Sequence, residues 1–528
     1  MSTTGTMARA EGGIAGVLAR AAEDHGGAPF LDVGTGWLDF GAVDREASRV
    51  ARGLRARGIE PGDRVAVMCD NRLEYVLALF GIARAGAAEV AVNTAFKGQI
   101  LRHVLGHSDA VAIFVEAEYL PLVEAERAEL PALRLVIVIG DADAPSSFAG
   151  LDGEEVEMPA VRAADVAAIG YTSGTTGRSK GALLPHNRVI HSAHAMAEVR
   201  EVGPADTLYT CLPLFHGNAK YLTLLPALVA GARIAIRPRF SASGFWGDIA
   251  ATGATQFNYL GVMISILAKQ EPHDGDPANT LRLGWGAGVP AELHEEFERR
   301  FDLTLLEGYG LTEGGIPLSS RRGARRIGSC GKPLPGYEVE ILDDEDEPVA
   351  AGEVGEIVLR GTQPFVTMVG YHKMAAETVE CMRNYWLHTG DFGMRDEDGW
   401  FYFKDRKQDS IRRRGENISS IEVEEAVLLH DQVLEAAAFP APSEVGEDEV
   451  MVVAVLREGS RLSEEELIEH CRHQMPYFWV PRYLELQFEP LPRTPTNKIT
   501  KAPLRRRGPS GRTWDRVARE GAANTRRH

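Results

Sequence analysis

A short apolar run, Val166-Ala-Ala-Ile-Gly-Tyr171, opens directly into Thr172-Ser-Gly-Thr-Thr-Gly-Arg-Ser-Lys-Gly181. Such a run ahead of a glycine-dense segment reads as a buried strand that delivers a loop to the edge of a sheet. Gly174, Gly177 and Gly181 let the backbone turn where a Cβ would clash, so that successive N–H groups can point at one anion. Ser173, Thr175, Thr176 and Ser179 add hydroxyl donors, and Arg178 and Lys180 add positive charge. The combination is that of a phosphate-gripping loop at a strand end. It differs from the Gly-x4-Gly-Lys-Ser/Thr phosphate loop, because Gly174 and Gly177 are only three apart and Lys180 precedes Gly181.

The rest of the chain repeats the alternation that such a loop needs. Residues 46–57 and 74–84 carry apolar positions at helical spacing, and 65–68 and 89–92 read as short strands. The rhythm continues from 190 to 300, with strand candidates at 233–236, 256–259 and 281–285. Strands interleaved with helices imply an α/β fold with a covered, largely parallel sheet. From 328 to 404 the texture changes to short β segments (338–342, 355–360, 400–403) between Gly, Pro and Asp turns, which predicts a small β-barrel or meander. The charged cluster 404–409 predicts a linker, with the hinge at 405–409. Beyond it, 422–429 and 464–471 are helical and 450–456 is a strand, so 410–506 predicts a mobile α+β domain of about 100 residues. The expected organisation is a disordered 1–13, a large N-terminal domain 14–404, this small C-terminal domain, and a disordered basic tail 507–528.

A chain of 528 residues exceeds one core and predicts roughly two to four structural units. The net charge of −18 argues against nucleic acid as a partner, since backbone phosphates would be repelled. An anionic substrate then needs a local cationic site, which the loop supplies. The five cysteines show no Cys-x-x-Cys pair, which points away from disulfide or zinc frameworks and toward the cytoplasm. The polar N-terminus lacks a signal-peptide core, and the apolar stretch 221–232 contains Pro226 and is too short to span a bilayer, so no integral membrane association is expected. A homodimer is left open.

Six further segments carry chemistry. In Gly308-Tyr-Gly-Leu-Thr-Glu313, Tyr309 offers a face to a purine, Thr312 a donor to phosphate and Glu313 a hard oxygen ligand for Mg²⁺. The others are Gly286-Ala-Gly288, Leu212-Pro-Leu-Phe-His-Gly-Asn218, Trp386-Leu-His-Thr-Gly-Asp391, Arg414-Gly-Glu-Asn-Ile-Ser419 and Leu491-Pro-Arg-Thr-Pro-Thr-Asn-Lys-Ile499.

In order and spacing these strings, with the loop at 171–181, resemble the adenylate-forming superfamily of acyl-CoA synthetases, luciferases and peptide-synthetase adenylation domains. The resemblance covers about residues 30 to 505. It implies that Thr172, Ser173, Gly174, Thr175, Thr176 and Lys180 grip the ATP phosphates, and that Gly286, Ala287 and Gly288 line the adenine pocket. Tyr309 stacks the adenine with Gly310 beside it in the nucleotide site, Thr312 contacts the α-phosphate, Glu313 holds Mg²⁺, and Asp391 and Arg406 reach the ribose. It further implies that His216 gates the acyl pocket, that residues 258–263 and 314–316 line that pocket, that Gly415 borders the thiol tunnel, and that Lys498 is the catalytic lysine of adenylation. The glycine that usually precedes this lysine is Asn497 here, and Asn tolerates positive φ. Gln408 stands where the family commonly has an Asp or Lys hinge residue.

A carboxylate resists nucleophilic attack at neutral pH, because attack adds charge to an anion; a mixed anhydride with AMP supplies the leaving group. The resemblance therefore implies an acid–CoA ligase that uses ATP, Mg²⁺ and CoA on a small carboxylic acid. In look it is nearest to bacterial crotonobetaine/carnitine-CoA ligases. The alternative keeps the adenylate and changes the acceptor to a carrier-protein thiol or an amine, or activates an unusual oxyacid such as nitrite.

Overall fold

The computed structural model describes residues 10–141, 143, 146–172, 179–272, 276–406, 410–414, 416–443, 447–492 and 499–519. It divides into two units. The first comprises Met1–Thr94, Val104–Tyr171 and Gly181–Asp405, and the second comprises Ala95–His103, Thr172–Lys180 and Arg406–His528.

The first unit is built on two large sheets. One runs in the order Leu135–Ile139, Ala110–Glu116, Arg64–Met68, Ala88–Ala91, Val166–Thr172 and Lys180–Pro185. Its ladders from Leu135–Ile139 through to Val166–Thr172 are parallel, with Glu89 opposite Ala168 and Val90 opposite Ile169. The apolar run at 166–171 is thus a strand in a covered parallel sheet, as expected; residues 173–178 of the glycine-rich segment that follows lie outside the described residues. The second sheet has nine strands, and its parallel centre consists of Thr304–Leu311, Leu283–Gly286, Gln256–Asn258, Thr207–Thr210, Arg233–Ile236 and Pro29–Asp32.

Helices cover these sheets because their apolar positions recur every three or four residues. In Phe40–Ala56, the buried Phe40, Val43, Ala47, Val50, Ala51 and Leu54 form one face, and Asp39 caps the start by accepting the Ala42 N–H at 2.5 Å. Helical order begins six residues before the expected 46, because the Asp39 cap lies outside the apolar pattern. The region expected to form a barrel is a four-stranded antiparallel half-barrel, Tyr337–Leu342, Val354–Gly361, Leu387–Arg395 and Phe401–Arg406 in sequential order. The last strand runs through residues 404–406, so the charged cluster expected as linker begins as sheet; residues 407–409 lie outside the described residues.

The second unit pairs the hairpin Ser410–Arg413/Glu416–Ser419 with a sheet of Val433–Pro442, Asp448–Leu456, Tyr483–Gln487 and Trp514–Asp515. Its two long strands alternate between two cores. Ala436, Ala438, Val450, Val452 and Ala454 join one, and Ala437, Phe439, Ala441, Met451, Val453 and Val455 the other, so both faces of the sheet are buried. Helix Glu464–Gln474 starts on a reciprocal capping box between Ser463 and Glu466.

Order also differs from expectation at the C-terminus. Trp514–Asp515 adds an antiparallel edge strand to Tyr483–Gln487, and the buried Glu485 accepts from Ser510 Oγ at 3.0 Å, from Thr513 Oγ1 at 2.5 Å and from Arg507. A buried carboxylate needs such partners, so the basic segment folds through residue 519; residues 520–528 lie outside the described residues. Among the described residues no helix is long and apolar enough to cross a membrane.

Candidate active site

In the first unit, several of the expected site residues gather where the strands end. Strand Thr304–Leu311 turns back into Gly315–Ser319, and Thr312 and Glu313 sit on that turn. Gly170, in the strand that feeds the glycine-rich loop, packs against it: a Cβ there would lie 2.5 Å from Thr312 Cγ2. Arg188 fixes the turn from below, donating from Nη2 to the Leu311 carbonyl at 3.1 Å and the Thr312 carbonyl at 2.7 Å. Glu313 is held at both ends. Its carbonyl accepts the Met368 N–H at 2.7 Å, and its Oε1 accepts from Tyr371 Oη at 2.9 Å. Burial, and then the Glu313 charge, pushes the Tyr371 phenol upward, so Tyr371 stays a donor.

Tyr309 donates from Oη to Asp391 Oδ2 at 2.6 Å, and Asp391 is only 1% exposed. The structure therefore joins two motifs that are 82 residues apart in the chain. The turn around Asp391 is built by Glu356, which accepts the Gly390 N–H at 2.8 Å and pairs with His388 Nδ1 at 3.1 Å, and by Thr389, which bonds the Ile357 carbonyl at 2.6 Å. Phe403 lies roughly parallel to the Tyr309 ring at 6.5 Å.

Gly286-Ala-Gly288 leaves strand Leu283–Gly286 in close contact with its neighbour. A Cβ at Gly286 would meet the Tyr259 carbonyl at 2.3 Å, so only glycine fits. The Ala287 carbonyl accepts the Gly261 N–H at 2.9 Å. Glu307, two residues before Tyr309 on the same strand, accepts the Val289 N–H at 3.0 Å and so ties this loop to the Tyr309 strand. Burial pushes the Glu307 carboxyl up to about 7, opposed by the Val289 and Gly288 N–H groups. An unfolded glutamate releases its proton near 4.5, so stability falls as pH rises from that value through about 7. Glu307→Gln is therefore expected to stabilise the protein by up to about 3 kcal/mol near pH 8 and by almost nothing near pH 4, read from thermal melts at both.

His216 ends an extended segment ahead of the short helix Gly217–Ala219, and its ring lies 4.8 Å from Phe215. Asn71 holds this segment by accepting the Leu214 N–H at 2.7 Å and donating to the Leu212 and Arg237 carbonyls at 2.8 and 2.9 Å. Next comes a π-helical turn, Lys220–Leu224. Lys220 Nζ lies 2.7 and 2.6 Å from the two oxygens of Glu89, and Tyr75 Oη donates to Glu89 at 2.8 Å. Lys220 and Glu89 are each 1% exposed, and burial holds the Lys220 ammonium below its ordinary range despite Glu89.

The remaining expected site residues belong to the second unit. Thr172 and Lys180 are half-buried at the two ends of the loop, while Ser173, Gly174, Thr175 and Thr176 lie outside the described residues. Gly415 also lies outside them; in the chain it falls between the paired strands Ser410–Arg413 and Glu416–Ser419. The Arg406 backbone closes strand Phe401–Arg406, and its side chain is not described; Lys498 and Gln408 lie outside the described residues. Asn71, Glu89, Arg188, Lys220, Glu307 and Tyr371 were not expected from the sequence. Glu89 and Glu307 sit in apolar strands, Arg188 and Lys220 in helical runs, and Asn71 and Tyr371 in short loop segments, and each gains its place through a distant partner.

Residues 18–372 match the family model of the AMP-binding enzyme, and residues 422–498 that of the AMP-binding enzyme C-terminal domain. The chain is 33% identical over 476 residues to a sulfoacetate–CoA ligase of Cupriavidus necator, covering 88% of this chain and 92% of the relative. It is 31% identical over 481 residues to a crotonobetaine/carnitine–CoA ligase of Salmonella paratyphi A, covering 89% and 93%. Among solved structures, an anthranilate CoA ligase in complex with anthranoyl-AMP superposes with a TM-score of 0.72 at 27% identity, over 94% of this chain and 97% of that one.

Proposed function

Because this chain belongs to the AMP-binding enzyme family, we propose that it is an AMP-forming acid–CoA ligase and that the residues gathered above carry its first half-reaction. The observation that carries the site assignment is the joining of Tyr309 to Asp391 beside the Thr312–Glu313 turn. It brings Tyr309, Asp391, Thr312 and Glu313 together in one unit, which supports reading them as an aromatic face, a ribose acceptor, a phosphate donor and a metal-binding carboxylate.

In adenylation, a carboxylate oxygen of the acid attacks the α-phosphorus of ATP. The bond from that phosphorus to the α–β bridging oxygen breaks, and pyrophosphate leaves with the electron pair. Thr312 donates to the α-phosphate, Asp391 accepts from the ribose hydroxyls, and Tyr309 stacks the purine. Thr172, Lys180 and the loop between them bind the β- and γ-phosphates, and Lys498 stabilises the charge gathering on the phosphoryl oxygens. Glu313 fits a magnesium site: Mg²⁺ takes one or two carboxylates and completes its shell with phosphates and water, and among the described residues no cluster of three His, Cys, Asp or Glu side chains forms a protein cage. Bound there, the ion neutralises phosphate charge. In the second step the CoA sulfur attacks the acyl carbonyl, AMP leaves, and the thiol proton passes to solvent. The C-terminal domain 410–506 serves this step with Gly415 at the thiol path and 405–409 as hinge. No protein nucleophile is required, and burial pushes the Cys211, Cys330 and Cys471 thiols up to about 12. A cytoplasmic setting accords with ATP and CoA as substrates.

Acid-dependent exchange of labelled pyrophosphate into ATP, with CoA omitted, tests the first step. Exchange with at least one acid of a short-chain, aryl and dicarboxylic panel is expected, and its absence with every acid would overturn the reading. In the same assay, Glu313→Gln is expected to raise the Mg²⁺ concentration for half-maximal exchange at least about tenfold. An unchanged requirement would remove Glu313 from the metal site.

A further inference from the structure

Arg200, at the C-terminal end of helix His186–Val199, is fully buried. A buried guanidinium is expected to meet a carboxylate, because an uncompensated charge away from water is costly. Here its hydrogen bonds go to neutral acceptors. Nε donates to Gln256 Oε1 at 3.0 Å, and Nη1 donates to Asn258 Oδ1 at 2.5 Å and the Leu222 carbonyl at 3.0 Å. Nη2 is buried and, among the described residues, has no acceptor. Asp206 is near enough to favour the charged form, yet it is committed to Arg282 at 2.9 Å and Thr255 at 2.6 Å. Burial, and then Arg282, lowers the Arg200 guanidinium to about 9, so it keeps its proton at neutral pH.

The polar surroundings of Arg200 reach the segment after His216, which the acid–CoA ligase reading assigns to the acyl side of the site. Gln256 and Asn258 alternate with Phe257 on strand Gln256–Asn258, so both amides lie on one face, where a buried strand ordinarily presents apolar side chains. Asn258 Nδ2 donates to Asn218 Oδ1 at 2.6 Å. Asn218 is two residues beyond His216 and only half-buried, whereas Asn258 and Arg200 are sealed. A hydrogen-bonded relay thus runs from the His216 segment to an interior cation whose hydrogen bonds meet only neutral acceptors.

Resting on the acid–CoA ligase reading, we propose that the acyl pocket selects a short carboxylic acid carrying a second anionic group, a carboxylate or sulfonate, at its far end. Arg200 supplies the counter-charge through the Asn258–Asn218 relay. The first carboxylate meets the α-phosphate, while the second replaces water at the polar end of the pocket. Acids with a methyl terminus put an apolar group against the half-buried Asn218 and gain nothing from the Arg200 charge, and acids with a quaternary ammonium terminus are repelled.

The test is pyrophosphate exchange with matched acids: succinate, glutarate and 3-sulfopropionate against butyrate, valerate and 4-(trimethylammonio)butyrate. The expected kcat/KM is at least about 100-fold higher for the dianionic acids. Asn258→Asp is nearly isosteric and places a carboxylate on Arg200. It is expected to melt no lower than the wild type, to keep the KM for ATP, and to lose the dianion preference at least about tenfold. Equal or better exchange with the methyl-terminated acids overturns this proposal alone, as does a preference that survives Asn258→Asp. Exchange with none of these acids, nor with any acid of the wider panel, overturns the ligase reading beneath it.

Discussion

Replacing Lys220 by Met, with Glu89 left in place, is expected to cost about 3–5 kcal/mol of stability, because it strands a buried carboxylate. Lys220 Nζ contacts both Glu89 oxygens, and the pair is sealed from solvent with Tyr75 donating to the same carboxylate. The desolvation cost of both ions is already met in the native protein by their mutual attraction, so removing one partner forfeits the attraction and leaves the cost. The double variant Lys220→Met with Glu89→Gln is expected to recover most of the loss, since neither charge remains. Urea denaturation of the two single variants and the double variant measures this. The pair also links the π-helical turn after His216 to strand Ala88–Ala91. The Lys220→Met protein that does fold is therefore expected to show a raised KM for the acid with an unaltered KM for ATP. Equal destabilisation by single and double variants would contradict the account.

The largest catalytic effect is expected at Lys498. Lys498→Ala should slow pyrophosphate exchange about 10²–10³-fold, the range found when one donor to a developing oxyanion is removed. Charge builds on the phosphoryl oxygens and leaving pyrophosphate only in the first half-reaction. Conversion of supplied acyl-adenylate to acyl-CoA should therefore stay within about threefold of wild type. Single-turnover measurements of the two steps separate these outcomes, and equal loss in both would remove Lys498 from the adenylation step.

What was legible in the sequence is what short-range physics encodes. The strand ahead of the glycine-rich loop, the parallel strands at 65–68 and 233–236, and the residue types of Tyr309, Thr312 and Glu313 follow from periodicity and side-chain chemistry within a few positions. Asp391 stood out only by resemblance, because an Asp in a tight turn is ordinarily a local cap; its partner Tyr309 lies 82 residues away. Glu307, Arg188 and Lys220 left no local trace. Glu307 lies in a strand and Arg188 on a helix, where a charge reads as a solvated position, and only tertiary packing seals them. The C-terminal segment misled for the complementary reason. Its arginines and glycines look solvated, yet Glu485 binds Arg507, Ser510 and Thr513 and draws Trp514 onto a sheet edge.

The central claim is that one acid passes through an adenylate to CoA. The most direct measurement is the chromatographic yield of AMP and acyl-CoA from ATP, Mg²⁺ and the acid that best supports exchange, with and without CoA. The account predicts equimolar AMP and acyl-CoA, both requiring that acid and CoA together. AMP formed with the acid but indifferent to CoA, with no thioester, would contradict it and assign the adenylate to another acceptor, a carrier-protein thiol or an amine.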